Sequence, residues 1–329
     1  MLKRALAGLT AIVMACSNGC YFSSSYVNNN LDINAPPNIE RFEDNNTSLS
    51  QEVRDEAARS VELVVVSAEY QFTGPDGNQI IGSLSTGGSA AIVEENYAIT
   101  AYHVIEMPRF VNSYILQEDS ALLDSLSNFT DPELLQFIMI GGAEAEIISE
   151  PKISLAGIEG INVVCPNYPE GEPSYDHIDY ALLQIPSASP KLSPIFNSEN
   201  LFVGGSDRLE VGDLIYTFGY PLSLGRFASQ GIVSAVDGFN EESPMKDYMF
   251  TTDAAISPGN SGGAAFALHN GKLYYVGVTV ASFRSGQNMN VVVRIDDILE
   301  DISRNGIYLR VNPSNLNPTN INLSEHLSE

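Results

Sequence analysis

Short runs of apolar and alternating residues make up most of the chain between positions 61 and 300. The first run is VELVVVSAEYQF, and GGSAAIVEENYAITAYHVI follows it as two runs joined through EEN. Runs of this length that are rich in Val, Ile, Tyr and Phe predict β-strands. Further runs of the same type are DYALLQI, DLIYTFGY, QGIVSAV, MFTTDAAI, GGAAFAL and KLYYVGVTVASF. Many short strands separated by frequent turns favour a β-sandwich or a β-barrel.

Turn and helix signals divide these strands. The pair Asp76–Gly77 and the sequence HNG at 269–271 predict tight hairpins between neighbouring strands. Helical signals are few: a short helix near 50–60, ALLDSLSNF, DPELLQFIM, which begins with an Asp–Pro pair suited to a helix N-terminus, and RIDDILEDISR. The segment 306–329 is rich in Asn, Ser and Pro and predicts an irregular C-terminal tail.

The N-terminus has the pattern of an export signal. MLKRALAGLTAIVMAC begins with basic residues and continues with an apolar run that is too short to span a bilayer. Its end, VMAC, resembles the lipobox of bacterial lipoproteins, in which the cysteine, here Cys16, becomes the lipidated N-terminus. We therefore expect a signal peptide over 1–15 and a flexible tether over 16–60, with an ordinary signal peptide cut nearby as the alternative. The expected location is the bacterial cell envelope, either anchored in the outer membrane facing the periplasm or secreted.

Charge and cysteine content exclude several classes of partner. The 329 residues include 16 basic and 41 acidic ones, a net charge of -25, which argues against binding to nucleic acid or to an anionic lipid surface. Lipidation of Cys16 would leave Cys20 and Cys165, and whether these two form a disulfide stays open. Because the sequence has no C-x-x-C motif or Cys/His cluster, we expect neither a metal site nor a cofactor.

One serine stands in an unusually glycine-rich segment, DAAISPGNSGGAAF at 253–266. GNSGG matches the G-x-S-x-G motif of α/β-hydrolases, which needs a helix directly after the serine and then an aspartate and a histidine. Asp296 and His326 have that order after Ser261. The residues that follow the serine, GGAAFALHNGKLYY, predict a hairpin instead of a helix, which argues against this alternative.

A second arrangement takes its histidine and aspartate from upstream. His103 comes at the end of the apolar strand AITAYHVI, and Asp179 opens the strand DYALLQI, with Asp176 as its nearest rival. The order His103, Asp179, Ser261 is the order of the chymotrypsin-type catalytic triad. The three remaining histidines stand in predicted loops, a turn and the tail: His177, His269 and His326.

With these residues in place, the sequence resembles the trypsin-like peptidase family and, within it, the bacterial HtrA/Deg type. The resemblance rests on ITAYHV, DYALLQI, TFGYPLSLGRFASQGIVSAV and TTDAAISPGNSGG and extends over about 61–300. It implies an all-β fold of two six-stranded barrels over 61–305, divided near 190–205, with the triad in the cleft between them. His103 would act as general base, Asp179 would orient it, Ser261 would be the nucleophile, and the backbone N–H groups of Gly259 and Ser261 would form the oxyanion hole.

The same resemblance predicts the substrate pocket. In trypsin-like folds the floor of the primary pocket is the residue six positions before the nucleophile. The predicted pocket residues are Ala255, Ile256, Val278, Thr279 and Val280. Because none of them is charged, we expect cleavage after small or medium aliphatic residues rather than after Lys or Arg.

Two departures from the family pattern limit the resemblance. The stretch 104–178 is longer than in a typical HtrA domain and either shapes substrate access or is an inert insertion. No PDZ domain is expected after the barrels, so the oligomeric state stays open. The sequence thus predicts an exported serine endopeptidase that acts on protein or peptide substrates through an acyl-enzyme. The alternative is a non-catalytic trypsin-like module that binds peptides or envelope proteins.

Overall fold

The computed structural model describes residues 49–165, 178–187, 192–236, 247–282 and 288–311. Two mainly antiparallel β-sheets, each curled into a barrel-like layer, account for most of these residues. The elements up to the end of the first sheet are α1 (Gln51–Arg59), β1 (Val61–Thr73), β2 (Gln79–Glu94), β3 (Tyr97–Thr100), α2 (Tyr102–Ile105), β4 (Phe110–Val111), α3 (Ser113–Glu118), α4 (Ser120–Phe129), α5 (Pro132–Gly141), β5 (Glu144–Ile147), β6 (Lys152–Leu155), β7 (Asn162–Cys165) and β8 (Ala181–Gln184). The elements of the second sheet and the last helix are β9 (Leu201–Val203), β10 (Leu214–Gly219), β11 (Phe227–Ala235), β12 (Met249–Thr252), β13 (Ala264–His269), β14 (Lys272–Ser282), β15 (Asn290–Arg294) and α6 (Ile295–Arg304).

The first sheet is built around one long hairpin. Strands β1 and β2 pair over their full length, from Val61 opposite Ala91 to Thr73 opposite Gln79. The strand order is β4-β5-β1-β2-β3-β8-β7, and β6 also pairs with β1. Strands β3 and β8 are therefore neighbours, which brings together two segments that are far apart in the sequence.

The second sheet closes on itself. Its order is β13-β10-β11-β12-β15-β14-β9, and β13 also pairs with β14, so that six strands form a closed ring. Strand β9 adds to the outer side of β14 in parallel orientation. Closure leaves these six strands without a free edge, which removes the usual site of strand-to-strand aggregation.

The side chains of both sheets pack into a mainly apolar interior. Buried positions alternate with partly exposed ones along most of β1, as expected for a strand that covers a core on one face. The final helix α6 adds to this core with a stripe at helical spacing. The buried residues of that stripe are Ile295, Ile298, Leu299 and Ile302.

Three helices, α3–α5, form the insertion between β4 and β5. At the start of α4, the carboxylate of Asp119 accepts the backbone N–H groups of Ala121 and Leu122. At the start of α5, Asp131 accepts the N–H of Glu133, and proline occupies the first turn. Both helices thus begin at an acidic N-cap, which satisfies amides that the helix itself leaves unpaired.

These observations confirm the predicted all-β fold with two barrel-like sheets and few helices. The expected helices near 50–60, at ALLDSLSNF, at DPELLQFIM and at RIDDILEDISR are all present. The prediction that His103 lies at the end of a strand is wrong. Strand β3 ends at Thr100, and His103 lies on the one-turn helix α2. The signal sequence, Cys16, Cys20, Asp176, His177 and His326 lie outside the described residues.

Candidate active site

The pairing of β3 with β8 brings His103 next to Asp179. Thr100, the last residue of β3, is opposite Ala181 of β8, so that α2 begins beside the residues that precede β8. Asp179 Oδ2 lies 2.7 Å from His103 Nδ1. Its other oxygen, Oδ1, accepts the backbone N–H of His103 at 3.0 Å. The carboxylate therefore fixes both the ring and the backbone of the histidine, and Nε2 has no hydrogen-bond partner among the described residues.

The charges of this pair stabilise each other. Burial by itself lowers the pKa of His103, but the charge and hydrogen bond of Asp179, together with the charge of Glu106, raise that pKa above its ordinary value. Burial by itself raises the pKa of Asp179, but His103 and backbone N–H groups lower it below its ordinary value. The side chain of His103 remains 40% exposed and that of Asp179 only 19% exposed, so the imidazole stays accessible to solvent.

Ser261 lies in a loop that hydrogen bonds hold from several sides. Its carbonyl oxygen accepts the N–H of Ser89 in β2 at 2.8 Å. The following residue, Gly262, donates its N–H to the carbonyl of Thr279 in β14 at 2.7 Å. The Thr279 hydroxyl in turn donates to the carbonyl of Asn260 at 2.5 Å. The loop is thus fixed between a strand of the first sheet and a strand of the second.

The turn Gly259–Ser261 contains two amides without a hydrogen-bond acceptor among the described residues. Gly259 has φ +92°, a conformation that favours glycine. Its carbonyl accepts the hydroxyl of Ser89 at 2.7 Å, and the preceding carbonyl, of Pro258, accepts the N–H of Leu222 at 2.8 Å. Within the described residues, the N–H groups of Gly259 and Ser261 have no hydrogen-bond acceptor. Two free donors in one turn can bind an oxyanion.

The carbonyl of Ser261 lies near the histidine helix, whereas its hydroxyl binds the backbone of β14. A methyl group added to Gly88 would lie 2.7 Å from the carbonyl oxygen of Ser261 and 2.8 Å from a side-chain carbon of Val104, the neighbour of His103. Ser261 Oγ donates to the carbonyl of Val280 at 3.2 Å. The hydroxyl thus binds β14 instead of the imidazole of His103.

Two of the predicted pocket residues, Ala255 and Ile256, precede the serine loop, and the other three lie in β14, which binds that loop. Ala255 is exposed, and its carbonyl accepts the hydroxyl of Ser229 at 2.6 Å. Val278 and Thr279 are fully buried, and Val280 is only 5% exposed. All of these predicted pocket residues are uncharged.

The sequence alone did not identify several residues that build this site. Ser89 binds Ser261 and Gly259, and its carbonyl accepts the hydroxyl of Thr100 at 2.7 Å. Asp253 accepts the N–H of Ile232 at 2.6 Å, which fixes the start of the serine loop to β11. Hydrogen bonds from small side chains to distant backbone groups leave no periodic pattern in a sequence.

The alternative α/β-hydrolase arrangement does not fit the fold. Strand β13, not a helix, follows Ser261 and Gly262. Asp296, its aspartate candidate, accepts the N–H and the hydroxyl of Ser206 at the start of α6. His269 lies in the β13–β14 hairpin against Tyr274.

Other kinds of site are not found in the described part of the chain. Among these residues, no group of three or more His, Cys, Asp or Glu side chains is arranged to hold a metal ion. None of the helices described is long and apolar enough to cross a bilayer. Cys165 carries a buried free thiol, 3.0 Å from the hydroxyl of Tyr180.

Comparison with known proteins identifies the family. The family model described as trypsin-like peptidase domain matches residues 88–278, more than half of the chain. The periplasmic pH-dependent serine endoprotease DegQ of Escherichia coli is 42% identical over 115 residues, which cover 34% of this chain and 23% of DegQ. The serine endoprotease DegS of Haemophilus influenzae is 37% identical over 110 residues, 30% of this chain and 31% of DegS. The chain thus matches less than a third of the length of these relatives.

A solved HtrA-type protease with a decapeptide gives a TM-score of 0.47 at 21% identity, and the match covers 78% of this chain and 67% of that chain. The match over residues 88–278, together with the two barrel-like sheets, establishes that the chain belongs to the trypsin-like peptidase domain family.

Proposed function

We propose that the protein is an exported serine endopeptidase whose catalytic triad is His103, Asp179 and Ser261. The observation that carries this proposal is the 2.7 Å contact of Asp179 with His103 Nδ1, in a domain where the amides of Gly259 and Ser261 have no acceptor among the described residues. The periplasmic serine endoproteases among its relatives support the same activity.

Each group has a defined task in peptide hydrolysis. His103 Nε2 removes the proton of the Ser261 hydroxyl as Oγ attacks the carbonyl carbon of the scissile bond. The N–H groups of Gly259 and Ser261 bind the resulting oxyanion. The imidazolium, stabilised by Asp179, gives its proton to the leaving nitrogen as the C–N bond breaks, which leaves an acyl-enzyme. Water then attacks the ester while His103 removes a proton from it, and His103 passes that proton to Ser261 Oγ as the bond between Oγ and the acyl carbon breaks and the acid product leaves.

The proposed specificity is for small or medium aliphatic residues before the scissile bond. The pocket residues are Ala255, Ile256, Val278, Thr279 and Val280, none of which carries a charge. Burial of a charged Lys or Arg side chain of the substrate without a carboxylate partner would cost roughly several kcal/mol of binding free energy. This cost excludes these residues from the pocket. Profiling with a peptide library tests this, and a preference for Lys or Arg would contradict it.

The test of the activity is labelling with a fluorophosphonate probe together with casein cleavage. Wild-type protein should incorporate the probe at Ser261, and Ser261→Ala should lose both labelling and cleavage while it keeps the fold. A second candidate function, a module that binds peptides without cutting them, predicts no labelling of the wild type. Cleavage by Ser261→Ala near the wild-type rate would show that another group is the nucleophile.

Export and anchoring rest on the N-terminal sequence and on the periplasmic relatives. We propose a signal peptide over 1–15, lipidation of Cys16, a tether over 16–60 and a peptidase domain over 61–305. Mass spectrometry of the mature protein should find a diacylglycerol on Cys16. Membrane fractionation of Cys16→Ser protein tests the anchor, because this variant should leave the membrane fraction if the lipid holds it there.

A further inference from the structure

Helix α4 of the insertion lies directly over β2 at the level of Gly87. A methyl group added to Gly87 would lie 2.4 Å and 2.7 Å from two ring carbons of Phe129, the last residue of α4. The ring of Phe129 thus occupies the space into which a side chain of residue 87 would extend. Glycine at this position allows the close contact.

Hydrogen bonds hold α4 in this place. The hydroxyl of Thr130, which follows Phe129, accepts the N–H of Ser85 at 2.8 Å and donates to the carbonyl of the same residue at 2.9 Å. One turn earlier, Ser125 binds the hydroxyl of Thr86. Because these three hydrogen bonds connect the C-terminal part of α4 to β2, they hold the ring of Phe129 beside this strand.

Helix α4 also packs against the turn Pro221–Ser223, which binds the serine loop. The backbone N–H of Leu222 in this turn donates to the carbonyl of Pro258. Leu222 and Leu224 are 42% and 72% exposed, so this turn and the residue after it present apolar surface next to α4. Large apolar side chains exposed together commonly mark a binding surface.

The groups around Phe129 adjoin two segments, β2 and the 221–223 turn, that also bind the serine loop. The proposed pocket and β14 flank Ser261 on one side, where its hydroxyl faces Val280. Ser89 of β2 and the 221–223 turn bind the serine loop through other groups, the carbonyls of Ser261 and Pro258. With the acyl part of an extended substrate in the pocket, β2 offers a path for the part that follows the scissile bond. Gly87 is two residues from Ser89, about 7 Å along a strand, which is within reach of the first two residues after the scissile bond.

We propose that Phe129, together with Leu222 and Leu224, forms an apolar subsite for the residues that follow the scissile bond. This inference rests on the proposed function and extends it. The insertion then shapes substrate access, the first of the two roles that the sequence left open. The subsite should select substrates with apolar side chains at the first two positions after the cut.

The test compares quenched fluorescent peptides that share one acyl side and differ after the scissile bond. One peptide carries Leu at the first two positions after the bond, and the other carries Gly. All rates are divided by the concentration of Ser261 that reacts with a fluorophosphonate probe. The readout is the ratio of kcat/KM for the Leu peptide to kcat/KM for the Gly peptide. Phe129→Ala should lower this ratio about tenfold, the effect of losing one apolar contact in a pocket.

Phe137→Ala is the matched control, because it makes the same change on the neighbouring helix α5, where Phe137 is 41% exposed and lies by the β1–β2 turn. It should leave the ratio unchanged. If Phe129→Ala does not fold, Phe129→Leu replaces it and should lower the ratio by a smaller factor.

Two failures are distinguishable. Wild-type protein that labels and cleaves, with an unchanged ratio in the Phe129 variant, overturns the subsite and leaves the proposed function standing. Wild-type protein that neither labels nor cleaves an anilide substrate, which has no residue after the scissile bond, overturns the proposed function and the subsite with it.

Discussion

Gly262, directly after the proposed nucleophile, has space for a hydrogen atom but not for a methyl group. A Cβ at this position would lie 2.0 Å from the carbonyl oxygen of Ser89 and 2.2 Å from the hydroxyl of Thr100. Neither oxygen atom can easily move away, because the Thr100 hydroxyl donates a hydrogen bond to the Ser89 carbonyl and Ser89 also binds the serine loop. Its φ of +86° adds a second penalty for any residue with a side chain.

Gly262→Ala should therefore be strongly destabilising. The left-handed backbone costs about 1–2 kcal/mol for alanine. Forcing the strands apart to make room for the methyl group adds about 1–3 kcal/mol. The expected loss in the free energy of unfolding is thus about 2–5 kcal/mol. A shift of Ser261 by about 1 Å should also reduce kcat/KM about 100-fold in the protein that remains folded.

Gly271→Ala is the matched control for this experiment. Gly271 lies in the β13–β14 turn with φ +73°, but a Cβ there would meet no atom within 4 Å. This variant should lose only the conformational term, about 1–2 kcal/mol. Urea unfolding of both variants gives the two free energies from their midpoints and slopes. If Gly262→Ala is no less stable than Gly271→Ala, the tight contact with Ser89 and Thr100 is refuted.

Three further predictions concern the groups around the serine and the interior. Asp179→Asn removes the charge that holds His103 and should lower kcat about 10⁴-fold in a peptide cleavage assay, and a change below about tenfold would contradict its role. Because the pKa of His103 lies above its ordinary 6.5 and the neutral imidazole is the base, kcat/KM should rise with pH through a midpoint above 6.5, and a lower midpoint would contradict the pairing. Tyr180→Phe removes the 2.6 Å hydrogen bond to the carboxylate of Asp301 and should cost about 1.5–3 kcal/mol of unfolding free energy. Tyr275→Phe, the matched control, removes a buried hydroxyl that has no partner among the described residues and should be neutral or stabilising in the same unfolding assay.

Local signals in the sequence were enough to predict most strands and hairpins. The β13–β14 turn illustrates this, because Asn270 and Gly271 both adopt positive φ, as a two-residue hairpin of this type requires. The helix at DPELLQFIM has Asp131 as its N-cap, as expected, and the carboxylate of Asp131 accepts the N–H of Glu133. In both cases the determining interaction lies within a few residues, so the sequence pattern contains it.

The position of His103 shows where local signals fail. The apolar run that precedes it predicted a strand, and β3 ends three residues earlier, at Thr100. The carboxylate of Asp179 accepts the backbone N–H of His103, a contact across 76 positions that favours the helical turn of α2. Only the pairing of β3 with β8 brings the two residues together.

The sequence by itself determined the all-β class, the order of the motifs and the candidates His103, Asp179 and Ser261, since each depends on residue type and local spacing. The tertiary structure alone decided how Ser89 supports the serine turn, through a bond to Gly259 that spans 170 positions. It also decided where the insertion lies, because the contact of Phe129 with Gly87 depends on the path of the intervening strands. Contacts between residues so far apart follow from how the strands pair and the sheets close, and no periodicity or spacing in the sequence predicts them.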